Sequence, residues 1–190
     1  MKDNKAAYRS ILKATSLFGG VQVINILVSL VRSKVVALFL GPYGMGLSGM
    51  LSSTTNLVGT FTNFGLGTSA VKDVSEASVK GDDESLKSIV VAVKRWMLLT
   101  GLFGMLAMIV LSPFLSEMTF KNSEYVISFC VLSITVILSQ ISSGRVAILQ
   151  GTRNLRYLAK ANIIGSILGL VVSIPLYSLL RVSGIVPALL

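Results

Sequence analysis

Ser16-Leu-Phe-Gly-Gly-Val-Gln22-Val-Ile-Asn25-Ile-Leu-Val-Ser29-Leu-Val-Arg32-Ser33-Lys34-Val-Val-Ala-Leu-Phe-Leu40 decides the fold. As a helix it is roughly 37 Å long, enough to cross a hydrocarbon core of ~30 Å. A basic tail precedes it, with Lys2, Lys5, Arg9 and Lys13. The run is too long for the apolar part of a signal peptide, and no small-residue cleavage site follows it. It reads as an uncleaved membrane anchor. Its polar residues are not scattered. At about 100° per residue, Gln22, Asn25, Ser29, Arg32 and Ser33 fall within an arc of about 100°. Lys34 points elsewhere.

Four further runs share this character. They cover about 46–71, 96–115, 125–149 and 163–180, and a sixth begins at Ile185. The run at 46–71 is the weakest, diluted by Ser52, Ser53, Thr54, Thr55, Asn56, Thr60, Thr62 and Asn63. Composition agrees with a membrane protein. Charged residues make up 13% of the chain, against roughly a quarter in a soluble domain, and the mean hydropathy is +0.79. The expected fold is all-α, a polytopic transmembrane bundle of five to six helices in a single domain over residues 1–190. The last residues, Ile185-Val-Pro-Ala-Leu-Leu190, are an apolar run with no basic end. The chain is therefore expected to be the amino-terminal portion of something longer.

The net charge of +9 does not point to nucleic acid, because the basic residues lie between the apolar runs. Lys2, Lys5, Arg9, Lys13, Lys72, Lys80, Lys87, Lys94, Arg95, Arg153, Arg156 and Lys160 all fall on one side if the spans alternate. The other side carries Lys121 and Arg181. Lysine- and arginine-rich loops face the cytoplasm, and acids such as Asp73, Glu76, Asp82, Asp83 and Glu84 contribute little to that rule. The amino terminus is thus expected in the cytoplasm, with Trp96 as an interfacial anchor.

Catalytic motifs are lacking. The chain has no histidine and one cysteine, Cys130, so neither a disulfide within the chain nor a cysteine or histidine metal site is available. No cofactor is implied. Gly44-Met-Gly46-Leu-Ser-Gly49 matches a dinucleotide-binding pattern, but it follows a membrane span and the next acid is Asp73. That context does not suit a nucleotide. Gly41-Pro42-Tyr43-Gly44 reads instead as a tight outer turn. Gly165, Ser166 and Gly169 read as a helix-packing face. Pro175 is expected to kink its span, and Met97, Met105 and Met108 are expected to make core or lipid contacts.

Charges and amides inside the spans carry more information. A cation at mid-bilayer costs at least ~2.5–3.5 kcal/mol, so Arg32 and Arg145 should face a cavity or a partner. Lys34 is close enough to the Gly41 turn to snorkel. Ser52, Asn56, Gly59, Thr60 and Asn63 share one face of the second span, and Ser128, Thr135, Ser139 and Ser142 share one face of the fourth. Three polar faces imply a wet interior between helices, although such faces also serve as hydrogen-bonded helix contacts. Candidate substrate-binding residues are Gln22, Asn25, Ser29, Arg32, Asn56, Asn63 and Arg145.

Three segments resemble a known family, the bacterial O-antigen flippases of the Wzx type. They are Lys34-Val-Val-Ala-Leu-Phe-Leu-Gly41-Pro42-Tyr-Gly44-Met-Gly46-Leu, Gly65-Leu-Gly-Thr-Ser-Ala-Val-Lys72-Asp73-Val-Ser-Glu76-Ala, and Leu149-Gln150-Gly151-Thr-Arg153-Asn-Leu-Arg156. That family shares a superfamily with multidrug exporters and lipid II flippases. The resemblance implies the first lobe of a two-lobe transporter of about twelve helices in the bacterial inner membrane. It also implies a polyprenyl-diphosphate-linked oligosaccharide as substrate, membrane lipid around it, and other polysaccharide assembly proteins as partners. Cations lining the cavity are a theme of the family. Two alternatives stay open. One is a cation-coupled multidrug exporter of the same superfamily, which acids within the spans would favour. The other is a membrane-bound enzyme or a structural subunit of polysaccharide biosynthesis.

The charge asymmetry makes a direct prediction about orientation. In a Cys130→Ala background, Tyr43→Cys should react with a membrane-impermeant thiol reagent applied to intact spheroplasts, and Lys80→Cys should not. The reverse pattern would invert the topology.

Overall fold

The structure, a computed structural model, describes the backbone of residues 2–190 and the side chains of residue 16 and residues 19–190. The side chains of Lys2, Lys5, Arg9 and Lys13 lie outside those described. Every regular element among the described residues is helical: α1 (Lys2–Asn63), α2 (Leu66–Lys80), α3 (Asp83–Phe120), α4 (Val126–Gly151), α5 (Leu155–Leu180) and α6 (Ile185–Leu189), with short 3-10 turns at Ser123–Tyr125 and Arg181–Gly184.

α1 is two helices joined at one residue. Gly41 has φ 65° and ψ −173°, a combination open to glycine and strained for any residue with a Cβ. Pro42 follows as the first residue of the second arm, where its missing N–H has no helical partner to lose. Each arm, 19–40 and 42–63, is then about 33 Å long and crosses the hydrocarbon once. With α3, α4 and the segment from α5 onward, the membrane-length helices supply five crossings. Gly44 permits the sharp change of direction. A Cβ there would lie 2.4 Å from the Leu40 Cβ.

The second span differs from its expected bounds. It begins at Pro42 rather than Gly46 and ends at Asn63 rather than Val71. Phe64 and Gly65 both take positive φ, 48° and 72°, and residues 66–71 begin a separate amphipathic helix, α2. The stretch expected as a loop between spans two and three is therefore mostly helical. Asp82 ends it by capping α3, its Oδ1 accepting from the backbone of Glu84 at 3.2 Å and Ser85 at 3.0 Å. Asp83 and Glu84 in the first turn suit the helix dipole.

Two packed clusters hold the helices. Leu40, Leu47 and Leu51 meet Met108, Phe129, Leu132, Tyr177 and Ile185 toward the Gly41 turn. At the other end Ala70, Val74, Val93, Met97 and Ala147 fasten α2 to α3 and α4. Lipid tails are as apolar as leucine, so association depends on close contact and interhelical hydrogen bonds. Glycine supplies the contact. A Cβ on Gly144 would meet Met97 at 2.8 Å, on Gly104 it would meet Val136 at 2.8 Å, and on Gly151 it would meet Val74 at 2.6 Å. Met97 and Met108 are core residues, as expected. The small residues expected to pack in the fifth span do not all do so. Gly165 and Gly169 face open space, and only Ser166 makes an interhelical bond. Pro175 does not interrupt α5.

The close approach at Gly44 generates a paired prediction. Gly44→Val should destabilise the detergent-solubilised protein by about 1–3 kcal/mol through overpacking against Leu40. Gly46→Val, with nothing within 4 Å of its added Cβ, should cost under about 1 kcal/mol. Equal thermal unfolding midpoints for the two variants would show that the arms do not meet there.

Candidate functional site

Two cavities, one mainly polar and one of mixed lining, open between the helices and meet at one side chain. The smaller, of about 450 Å³, lies between the second arm of α1 and α4. Ser52, Asn56, Gly59, Thr60 and Asn63 line one wall, and Thr135, Ser139, Gln140 and Ser143 line the other. The larger, of about 690 Å³, lies between the first arm of α1, α4 and α5, and is lined by Asn25, Ser29, Arg145, Asn162 and Ser166 among others. Arg32 lines both.

Helix periodicity explains which stripe residues reach the site. Measured from Arg32 at about 100° per residue, Val28, Asn25 and Ser29 fall within about 60° on either side, and all three line the larger cavity. Gln22 and Ser33 fall about 80–100° round. Both are exposed and line neither cavity. Gln22 thus stands on the edge of the stripe, away from these two cavities. Lys34 is exposed and lines neither cavity. Of the α4 face, Thr135, Ser139 and Ser142 reach a cavity and Ser128 does not.

The electrostatics are one-sided. Arg32 Nη2 donates to the Ala188 carbonyl at 3.4 Å. Among the described residues no carboxylate lies within ion-pair distance of Arg32 or Arg145. The ion pair found among those residues is on the surface of α2, where Lys80 Nζ meets Glu76 Oε1 at 2.8 Å. There the hydrogen bond and charge of Lys80 hold the Glu76 carboxyl below its ordinary range, and Glu76 raises Lys80 in return. Apart from that Arg32 bond, the polar contacts in the cavities are between neutral groups. Ser166 Oγ donates to Asn25 Oδ1 at 2.8 Å, which ties α5 to α1. Two cations facing a polar space without a carboxylate suit an anionic ligand group.

The smaller cavity is continued toward the end of the bundle that carries α2. Asn63, Ser139 and Ser143 also line a recess of about 460 Å³ with Gly67, Thr68 and Gln150. Gly67, Thr68 and Gln150 in turn line a third recess of about 530 Å³ that reaches Lys72. A run of hydroxyl and amide groups thus leads from Arg32 to the surface of α2.

Sequence reasoning missed Gln140, Thr55, Ser143 and Asn162 as lining residues. Gln140 carried a usable signal, an amide in the middle of an apolar span. It is 2% exposed and donates from Nε2 to the Gly59 carbonyl at 2.9 Å.

The sequence of residues 11–190 matches the family described as polysaccharide biosynthesis protein. It is also similar to the stage V sporulation protein B of Bacillus subtilis (strain 168), at 27% identity over 161 residues, or 83% of this chain. The chain spans 30% of that relative's length. No solved structure matches.

Proposed function

Because this chain belongs to the polysaccharide biosynthesis protein family, we propose that it forms part of a flippase that carries a polyprenyl-diphosphate-linked saccharide across the bacterial cytoplasmic membrane. The carrying observation is the pair of arginines, Arg32 and Arg145, which line one cavity between membrane-length helices without a carboxylate partner among the described residues. A diphosphate headgroup cannot cross hydrocarbon unaided, and a wet route with fixed cations lowers that barrier. The planar guanidinium suits phosphate oxygens in a bidentate mode. Asn25 and Ser29 flank Arg32 for the same headgroup, while Asn56 and Asn63 line the neighbouring space for the saccharide. The recesses running to Lys72 offer the approach from the cytoplasmic leaflet, given an amino terminus inside the cell. An O-antigen repeat or a related polysaccharide unit is the cargo, and other polysaccharide assembly proteins are the partners. In this reading the protein transports its substrate without altering it.

Arg32 is the sharpest test, because it joins the two cavities. In the protein expressed from its own gene, Arg32→Ala should lower transport of the lipid-linked saccharide by about ten- to a hundredfold, the loss of one charge-assisted contact. Membrane abundance should stay near normal, and Arg32→Lys should restore transport in part. Lys34→Ala should have little effect. Normal export by Arg32→Ala, or a loss that merely follows loss of protein, would sink the assignment.

A further inference from the structure

The basic residues at the α2 end of the bundle fall into two groups of different character. Around α2, Lys72, Lys80 and Lys87 share their stretch with Asp73, Glu76, Asp82, Asp83 and Glu84, and Lys80 is paired with Glu76. Around the turn from α4 to α5, Arg153, Arg156 and Lys160 have no such company, because the sequence holds no acid from Tyr125 to Leu190. All three are exposed, and among the described residues none has a carboxylate within ion-pair distance. Helix periodicity sets where two of them face. Arg156 and Lys160 share an arc of about 80° with Ile164, Ile167 and Val171, which are also exposed. Leu158 and Ser173, buried on α5, lie about 100–160° round from the two cations. Asn162, Gly165 and Gly169, which line the larger cavity, lie about 120–180° round from them. Arg156 and Lys160 therefore stand on the outer side of α5, away from the cavity that Arg32 and Arg145 line.

Their depth follows from the same helix. The run from Ala161 to Leu180 carries no charge and is roughly 30 Å long, one hydrocarbon thickness. Lys160 stands at its edge, and Arg156 lies about 6 Å further out along the axis. That is the level of lipid headgroups, with Ile164, Ile167 and Val171 at the level of the acyl chains. Tyr157, also exposed, has the amphipathic ring that suits this boundary. The charge balance selects among headgroups. A zwitterionic headgroup brings an ammonium with its phosphate, and this part of the chain has no acid to receive it. A headgroup of net negative charge brings phosphate oxygens alone, which suit the planar guanidinium and the lysine ammonium together. We propose that the outer face of α5 binds an anionic phospholipid of the surrounding bilayer, its phosphate held by Arg156 and Lys160 and an acyl chain laid along Ile164, Ile167 and Val171. The site is separate from the cargo cavity and does not depend on what the protein transports.

The experiment uses the detergent-solubilised protein expressed from its own gene and two phospholipids, phosphatidylglycerol and phosphatidylcholine, each with a carbene precursor in its acyl chain near the glycerol. After irradiation, labelling of peptides covering residues 157–171 is measured as each lipid is titrated. Phosphatidylglycerol should half-saturate that labelling at a concentration about tenfold lower than phosphatidylcholine, a few-fold from each of the two cations. Arg156→Gln with Lys160→Gln should bring the two lipids nearly level. Arg156→Lys with Lys160→Arg keeps both charges and should retain most of the preference. Lys72→Gln with Lys80→Gln removes the same formal charge from the acid-rich group and should change nothing at residues 157–171. Inorganic phosphate at millimolar concentration should not compete, because it lacks the acyl chain. Equal labelling by the two lipids, a preference that survives the loss of both cations, or displacement by inorganic phosphate would overturn the proposal. Labelling of the segment by neither lipid would also overturn it, since protein rather than lipid would then cover this face. None of these results bears on the cargo, so the flippase reading stands or falls by its own test.

Discussion

A guanidinium within a membrane-length helix sets the terms for the rest of this molecule. Placing Arg32 in hydrocarbon would cost at least ~2.5–3.5 kcal/mol, and the cost falls only if the helices around it leave room for polar groups. The first arm of α1 therefore turns Asn25, Ser29 and Arg32 inward. The second arm answers with Ser52, Asn56, Thr60 and Asn63, and α4 with Thr135 and Ser139. These faces were available to line a space because α3 and α4 are held together elsewhere, on surfaces where glycine brings backbones close. The apolar remainder, residues such as Leu30, Leu38, Val110 and Leu179, stays on the outside of the bundle, where lipid replaces water as the solvent.

Much of this was legible in the sequence for one reason: helices in a bilayer are long, and their periodicity is regular. The number of crossings follows from length, and the inward faces follow from counting by 100°. Asn25, Ser29, Asn56 and Asn63 line cavities on that arithmetic, and Arg145, singled out as a cation within a span, lines the larger one. The misplaced features share a different cause. The second span was read through to Val71 because Leu66, Ala70 and Val71 continue the apolar pattern. In the structure these residues serve α2, whose Ala70, Val74 and Ala77 pack on its neighbours. Hydropathy cannot tell an apolar face meant for protein from one meant for lipid. The break itself rests on Phe64 and Gly65 in left-handed conformations, and a lone glycine in a glycine-rich span does not announce that.

Gln22 and the glycines of α5 illustrate the second limit. A stripe on one helix defines an arc, but the cavity takes only as much of it as the neighbouring helices leave uncovered. Gln22 lies at the margin of the arc and lines neither of the two cavities. Gly165 and Gly169 had the spacing of a packing motif, yet nothing among the described residues lies within 4 Å of a Cβ added to either, and they line the larger cavity instead. Small residues allow close approach without requiring it. Which glycines are used is decided by the partner surface, and the glycines in use here, Gly104, Gly144 and Gly151, each receive a specific side chain.

Gln140 shows where the two kinds of surface meet. Counting from Ser139, the wet face of α4 covers Thr135, Ser142 and Ser143 within about 60°, whereas Val136, Ala147 and Gly144 lie about 60–140° round on the dry side. Gln140 stands about 100° from Ser139, inside the dry arc, and yet it lines the smaller cavity. An apolar residue there would extend the α3 contact, where a Cβ on Gly101 already lies 3.2 Å from the Gln140 Cβ. An amide instead spends its nitrogen on the Gly59 carbonyl and so fastens α4 to the second arm of α1. Its oxygen is left buried without a partner. One side chain thus closes the dry contact and ties it to the second arm of α1.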